Sequence, residues 1–120
     1  MSLRDDLQYP SQDVGTQEGH IIYNTTYQVL HAAHNDWLRW MQDVQIPEVV
    51  GTGCFVKHQL VRLLEADETE GPVYAIQYYA ACRQDYDRYM ALYDARLKRQ
   101  GQQLWGNAVF GFSSLMQVMV

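Results

Sequence analysis

The sequence has little of several features that mark common classes of protein. Only two cysteines, Cys54 and Cys82, occur among 120 residues, and they lack the CxxC spacing of metal and redox motifs. No apolar run approaches the roughly 20 residues that a membrane-spanning helix needs. The first residues, MSLRDDLQYP, lack the apolar core of a secretory signal. These absences predict a cytoplasmic protein with two free thiols and no membrane partner.

Basic residues are also scarce, since nine Lys and Arg face fourteen Asp and Glu and give a net charge of −5. Proteins that bind nucleic acid need a basic patch to neutralise phosphates, so we expect no nucleic-acid partner. Neither a phosphate-binding GxxxxGK[ST] motif nor a GxSxG or HExxH motif is present. His31 and His34 lie three residues apart, but no third ligand shares their predicted helix face. We therefore expect no metal and no cofactor.

What the sequence does have is a change of pattern at His20. Residues 1–19 are polar, carry one Pro and two Gly, and show no apolar period, which predicts an N-terminal extension that lies against another surface, such as a partner subunit. Residues 20–120 contain most of the apolar side chains and predict one globular domain.

Within that domain, six segments alternate between strand and helix patterns. Strands are predicted at residues 20–29, 54–64, 73–81 and 107–118, and helices at residues 31–45 and 83–100. Pro47 is expected to end the first helix and to begin a short turn through residues 48–50, and Gly101 is expected to end the second. The order βαββαβ predicts a ferredoxin-like α+β fold, in which both helices cover one face of an antiparallel four-stranded sheet.

Each predicted helix has one apolar stripe at helical spacing, which we interpret as core. The first stripe comprises Ala33, Trp37, Trp40, Met41 and Val44, and the second comprises Tyr86, Tyr89, Met90, Tyr93 and Leu97. Gln45, which directly precedes Ile46 and Pro47, is the residue in this region for which the pattern predicts no structural role.

The sheet face away from the helices is only partly polar. Large apolar side chains occupy both alternating sets of positions in the strands, whereas a solvated sheet face is normally polar. A monomer that exposed them all would carry a large apolar patch. We therefore expect a homodimer that packs sheet against sheet, as in the dimeric α+β barrel type.

Four segments resemble a group of short uncharacterised bacterial proteins that is classed as a domain of unknown function. These segments are IIYNTTYQV, WLRWM with IPEVVGTGCF, YAIQYYA, and WGNAVFGFSSL, and the resemblance extends over residues 21–119. It implies a fold similar to the ferredoxin-like dimeric α+β barrels and a dimer. It implies no activity.

A set of polar side chains on the strands is the candidate ligand site. Polar groups that converge inside an apolar cavity are typical of a small-molecule site, and equally of a wet dimer interface. His58 and Arg62 share one side of the second strand. The sequence does not fix the strand register, so that side faces either the helices or the barrel cavity, where the remaining residues of the set would join it. The full set is Asn24, Thr26, His58, Arg62, Gln77 and Tyr79.

The hairpin between the second and third strands predicts that Cys54 lies close to Cys82, without a disulfide in a reducing compartment.

The sequence leaves three functions open. The first is a dimer that binds a small ligand or a protein partner. The second is a cofactor-free enzyme of monooxygenase or isomerase type that encloses a small organic substrate in the barrel, and the third is a metabolite-sensing module. The second rests on analogy between folds only.

Overall fold

A computed structural model of the protein describes residues 20–120. It contains one antiparallel sheet of four strands in the order β2-β3-β1-β4. The strands are β1, Ile21–Val29; β2, Lys57–Arg62; β3, Val73–Ala80; and β4, Val109–Gln117. With two helical segments this is the ferredoxin-like α+β fold that the sequence predicts. The predicted extension, residues 1–19, lies outside the described residues.

The core lies between the sheet and the helices. On β1, Tyr23 is opposite Tyr78 and Thr25 is opposite Ile76 of β3, so these alternate residues share the helix side of the sheet. Trp37 and Leu97 come from the two helices and are almost fully buried against them. Alternation along the strands and helical spacing in the helices together produce this single core.

The first helix occupies residues 34–51 and consists of α-helix His34–Trp40, a π-helical turn Met41–Gln45 and α-helix Ile46–Gly51. The prediction that Pro47 ends this helix is therefore wrong. The Ile46 N–H donates to the carbonyl of Met41, five residues earlier. Because the turn before Pro47 is widened in this way, the helix accommodates a ring that would clash with a regular α-helical turn.

The second helix occupies residues 83–105 and has the same construction: α-helix Arg83–Tyr89, a π-helical turn Met90–Asp94 and α-helix Ala95–Trp105. The prediction that Gly101 ends it is also wrong. A Cβ at Gly101 would lie 3.4 Å from the Trp40 ring, so this glycine lets the two helices approach. The helix ends instead at Gly106, whose φ of 50° is costly for other residues.

The two π turns decide which side chains enter the core. A π turn holds an additional residue, so it rotates the following positions relative to a regular α-helix. Val44, predicted to be core, is 41% exposed, while Gln45 is 8% exposed. In the second helix Met90 is 37% exposed, and Asp94 is 5% exposed. Both turns begin with a methionine and end with a buried polar residue.

The β2–β3 hairpin is shorter than predicted. Lys57 is opposite Tyr79 and Arg62 is opposite Tyr74, so Cys54 precedes the strand, where it is buried. Cys54 and Cys82 are both free thiols. That they are close neighbours stays a prediction.

The open face of the sheet, which is the face away from the helices, exposes large apolar groups on the edge strand β4. Phe110 and Phe112 are 83% and 65% exposed, and they lie opposite Gln28 and Thr26 of β1. This pattern matches the partly polar face that the sequence predicts.

Candidate ligand cavity between the helices and the sheet

A cavity of about 280 Å³ opens between the two helices and the β1–β4 side of the sheet. Its volume is close to the lower end of the range for small-molecule sites, roughly 300 Å³. Apolar and aromatic side chains form most of its wall. They are Tyr27, Trp37, Trp40, Met41, Leu97, Trp105 and Val109, joined by the polar groups of Gln45, Lys98, Gln102 and Ser113.

All three tryptophans of the chain border this cavity. Trp40 and Trp105 meet edge to face, with ring centroids 5.7 Å apart. Trp37 lies 5.6 Å from the ring of Tyr27. Such pairs are favourable arrangements of aromatic rings, and they hold the indole walls in place.

Two polar atoms in this wall are buried without a hydrogen-bond partner among the residues that the structure describes. They are Oε1 of Gln45, an acceptor, and Nε1 of Trp105, a donor. A buried polar atom without a partner costs roughly 1–3 kcal/mol. Both residues border the cavity, but the two atoms themselves are closed to solvent, so a ligand reaches this acceptor and this donor only when the side chains turn toward it.

A smaller inner chamber of about 10 Å³ adjoins the cavity. Tyr27, Met41, Gln45 and Lys98 belong to the walls of both spaces. Asp94 also lines the inner chamber. Gln45 thus borders both the cavity and a space that a buried acid lines.

Asp94 has polar partners on β1 and on its own helix, and the Tyr89 hydroxyl is one of them. The Tyr23 hydroxyl donates to Asp94 Oδ1 at 2.8 Å, and Lys98 Nζ lies 3.3 Å from Asp94 Oδ2, one helical turn away. The Asp94 side chain is 7% exposed and that of Lys98 is 49% exposed. A buried carboxylate is tolerated where a cation and hydrogen bonds compensate it, and this one has both.

The tyrosines around this acid stay neutral at ordinary pH. Burial raises the pKa of Tyr23 and Tyr89 far above the usual value, and the negative charge of Asp94 raises both further. Burial also raises the pKa of Tyr78. Their hydroxyl groups therefore keep their protons and act as donors or acceptors, not as bases.

The structure divides the six residues of the predicted ligand site between the two faces of the sheet. Asn24, Thr26, Gln77 and Tyr79 share the open face: Asn24 is opposite Gln77, and Thr26 is opposite Ala75. They bond to one another, since Asn24 Nδ2 donates to Thr26 Oγ1 at 3.1 Å and the Tyr79 hydroxyl donates to Gln77 Oε1 at 3.3 Å.

His58 and Arg62 lie on the other parity of β2, opposite Tyr78 and Tyr74. Arg62 Nη2 donates to Glu68 Oε1 at 2.8 Å, and both side chains are exposed at the sheet edge. None of the six predicted residues lines the cavity or the inner chamber. A ligand-binding role for them stays a prediction.

Sequence reasoning missed Asp94 and Lys98, for which the residue pattern offers only the spacing of an ion pair. Asp94 directly follows Tyr93 within the apolar stripe of the second helix, and Lys98 follows four residues later, which is the spacing of a helical ion pair. Without Asp94, Lys98 has an ordinary explanation, because cations are common in the last turn of a helix. Only the π turn, which the pattern does not reveal, brings Asp94 inward.

Within residues 20–120, no group of three or more His, Cys, Asp or Glu side chains is arranged to hold a metal ion. His34 instead forms a 2.6 Å hydrogen bond with the Tyr74 hydroxyl. In that same part of the chain, no helix has the length and apolar character needed to cross a membrane.

Comparison with known proteins gives one family and a set of similar folds. The family described as a domain of unknown function, DUF4286, matches residues 20–119. No curated protein is similar enough in sequence to match.

Three solved structures illustrate the shared fold. A dimeric ferredoxin-like protein from an uncultured marine organism is 15% identical, with a TM-score of 0.59 over 83% of this chain and 95% of its own. SnoaB, a cofactor-independent oxygenase from Streptomyces nogalater, is 13% identical, with a TM-score of 0.61 over 84% and 95%. The heme-degrader MhuD from Mycobacterium tuberculosis, with two hemes bound in its active site, is 10% identical, with a TM-score of 0.60 over 83% and 96%. At these identities the likeness extends to the fold alone.

Proposed function

The chain belongs to the DUF4286 family, a domain of unknown function, and from this premise we propose that it binds a small, planar, mainly apolar organic molecule in the cavity between its helices and sheet. The observation that carries the proposal is the aromatic wall of the cavity, to which all three tryptophans contribute. Gln45 Oε1 and Trp105 Nε1 are buried without partners in that wall, and a ligand with one donor and one acceptor that draws these two groups toward the cavity recovers the free energy that both atoms lose in the unliganded protein.

The proposed binding protein is a homodimer. Phe110 and Phe112 on the open face are the reason, because two largely exposed phenylalanines on one edge strand form a patch that a second copy of the chain would bury. A structure of the same fold is described as dimeric, which supports this arrangement. The expected location is the cytoplasm, in keeping with the two free thiols.

A cofactor-free enzyme is the second candidate, and one observation favours it. Asp94, a buried carboxylate, lines the inner chamber together with Gln45, so an ionisable side chain adjoins the proposed ligand site. SnoaB, which has the same fold, is a cofactor-independent oxygenase. A metabolite sensor would use the same cavity without turnover, so the absence or presence of product separates these two functions.

The fluorescence of the three tryptophans offers a direct test of binding, because all of them border the cavity. We would titrate the protein with one- and two-ring aromatic compounds and follow quenching or a shift of the emission. Gln45→Leu and Trp105→Phe each remove one polar partner of the ligand, so we expect about a tenfold loss of affinity from either.

The matched control is Gln103→Leu, which makes the same exchange at an exposed position of the second helix outside the cavity wall. It should leave the affinity unchanged. Equal losses in Gln45→Leu and Gln103→Leu, or no binding by any compound of the panel, would remove the basis of the proposal.

A further inference from the structure

The wall of the cavity between the helices and the sheet contains a single charged side chain. Among the residues that the structure describes, no Asp, Glu, Arg or His lines this cavity, and Lys98 is the one residue of the wall that carries a charge near neutral pH. Tyr27, the tyrosine of the wall, stays neutral because burial raises its pKa. A ligand in the cavity therefore meets a positive charge, and no negative charge, on the residues that line it.

The position of Lys98 leaves part of its ammonium group free for a ligand. Its Nζ lies 3.3 Å from Asp94 Oδ2, and its side chain is 49% exposed, whereas that of Asp94 is 7% exposed. Lys98 lines both the cavity and the inner chamber, and Asp94 lines only the inner chamber. An ammonium group has three N–H donors, and the contact with Asp94 Oδ2 uses one of them. The remaining donors are available on the side of the cavity.

The carboxylate of Asp94 opposes a second anion, but it is the more distant charge. The energy between two charges falls as their separation grows. A ligand oxygen in contact with Nζ from the cavity lies nearer to the ammonium group than to the acid of the inner chamber, so attraction to Lys98 exceeds repulsion by Asp94. Because Lys98 is half exposed, this ion pair forms without complete removal of the cation from water.

The second helix places further cavity residues on the same face as Lys98. Gly101, Gln102 and Trp105 follow it by three, four and seven positions in the helix, and all three line the cavity. Gln102, one helical turn from Lys98, has amide N–H groups that can donate to the same anion. At Gly101 a Cβ would lie 3.4 Å from the Trp40 ring. An anionic group at Lys98 and Gln102 is therefore continuous with an aromatic surface.

Resting on the proposed binding function, we propose that the ligand is an aromatic carboxylate. Its carboxylate group accepts hydrogen bonds from the Lys98 ammonium group and the Gln102 amide, and its ring lies against the indoles of Trp40 and Trp105. The aromatic wall accepts many flat molecules, and the single cation selects among them. Acids should bind in preference to their neutral amides and to amines.

The test compares three probes that share an indole ring and differ in charge. Indole-3-acetate is an anion near neutral pH, indole-3-acetamide is neutral, and tryptamine is a cation. Equilibrium dialysis measures each dissociation constant, because the probes themselves fluoresce and would obscure the tryptophan signal. We expect the carboxylate to bind about tenfold more tightly than the amide, as one hydrogen bond to a charged group produces, and the amine to bind most weakly.

Two substitutions test the cation in different ways. Lys98→Met removes the ammonium group, and Gln102→Glu adds a carboxylate beside it at an exposed position. Each should reduce the preference for the carboxylate over the amide to less than about twofold. Lys98→Arg retains a cation and should retain the preference. Circular dichroism verifies that each variant is folded, and Gln102→Glu gives the answer if Lys98→Met, which leaves Asp94 without its cation, does not fold.

The matched controls are Arg99→Met and Gln103→Glu. Both residues are exposed on the same helix and lie outside the cavity wall, and the two substitutions change the net charge by the same amounts as the test substitutions do. They should preserve a preference of about tenfold, which distinguishes a local ion pair from the effect of overall charge. A preference that falls equally in the controls, or one that survives both Lys98→Met and Gln102→Glu, overturns the inference.

The three probes also separate this inference from the binding function. If indole-3-acetamide binds at least as tightly as indole-3-acetate, the preference for a carboxylate is wrong and the binding function stands. If none of the three probes binds and no compound of the aromatic panel affects tryptophan fluorescence, both proposals are wrong.

Discussion

The ring of Tyr27 lies directly over Gly111 of the neighbouring strand. The two residues are opposite one another in the β1–β4 ladder, and a Cβ on Gly111 would come within 2.6 Å of two carbons of the Tyr27 ring. Both residues border the ligand cavity. This glycine therefore gives the Tyr27 ring its position in the cavity wall.

The first prediction follows from that contact. Gly111→Ala forces the Tyr27 ring to move, so we expect a loss of about 1–3 kcal/mol in the free energy of unfolding, together with weaker ligand binding. Urea denaturation measures the loss. Gly51→Ala is the control, because a Cβ at Gly51 meets nothing within 4 Å, and at a helical position alanine should be neutral or stabilising. Equal stability of the Gly111→Ala variant and the unaltered protein would contradict the predicted clash.

A second prediction concerns Gln45. If its unpartnered carbonyl oxygen serves a ligand, then the unliganded protein has a cost in stability that leucine removes. We expect Gln45→Leu to raise the free energy of unfolding of the unliganded protein by about 1 kcal/mol while it weakens binding. The exposed Gln103→Leu should change stability little. A Gln45→Leu protein that is less stable than the unaltered one would mean that the amide is already satisfied in the unliganded fold.

A third prediction concerns alkaline pH. Burial raises the pKa of Tyr23, Tyr78 and Tyr89 in the folded protein, whereas in the unfolded chain they ionise near pH 10, the usual value. Above that pH the unfolded state binds fewer protons than the folded state. The contribution of these tyrosines to the free energy of unfolding is therefore fully present below about pH 10. It falls as the pH rises, by up to about 1.4 kcal/mol per pH unit for each tyrosine.

Ultraviolet absorbance of the phenolate should show that Tyr23, Tyr78 and Tyr89 ionise only as circular dichroism shows unfolding. Tyr78→Phe should reduce the slope of stability against pH. Normal titration of all nine tyrosines in a folded protein would be inconsistent with this account.

A fourth prediction concerns the open face. We expect a dimer at micromolar concentration in analytical ultracentrifugation, and dissociation to monomers when Phe110 and Phe112 are both replaced by serine. Leu104→Ser is the control, because Leu104 is also exposed, at 61%, but lies on the second helix. If the unaltered protein is a monomer at this concentration, the sheet-to-sheet dimer is wrong.

The order and type of the main elements were predictable because each strand and helix has its own apolar period. Val29, Trp37 and Leu97 fall in those periods and are buried in the core. Pro47 and Gly101 were misread for physical reasons. A proline is compatible with a helix when a widened turn precedes it, and a glycine inside a helix can serve a close contact, here with Trp40.

The candidate site was less predictable than the fold. The six strand residues were chosen because polar groups on strands often line a barrel, but the register separates His58 and Arg62 from the other four. Asp94 is buried through a π turn that has no clear sequence signal. The cavity itself arises from the way in which two helices and a sheet pack, and that depends on tertiary geometry.

The most direct test of the central claim is the indole signal of Trp105 in a two-dimensional proton–nitrogen correlation spectrum, recorded as an aromatic ligand is added. Trp105→Phe identifies the signal by its disappearance. The account predicts that the Trp105 Nε1 proton moves downfield as it donates to the ligand, with further changes around Gln45. A Trp105 signal that stays in place, while the amides of Asn24, Thr26 and Gln77 on the open face shift, would contradict the account and favour a site in the barrel.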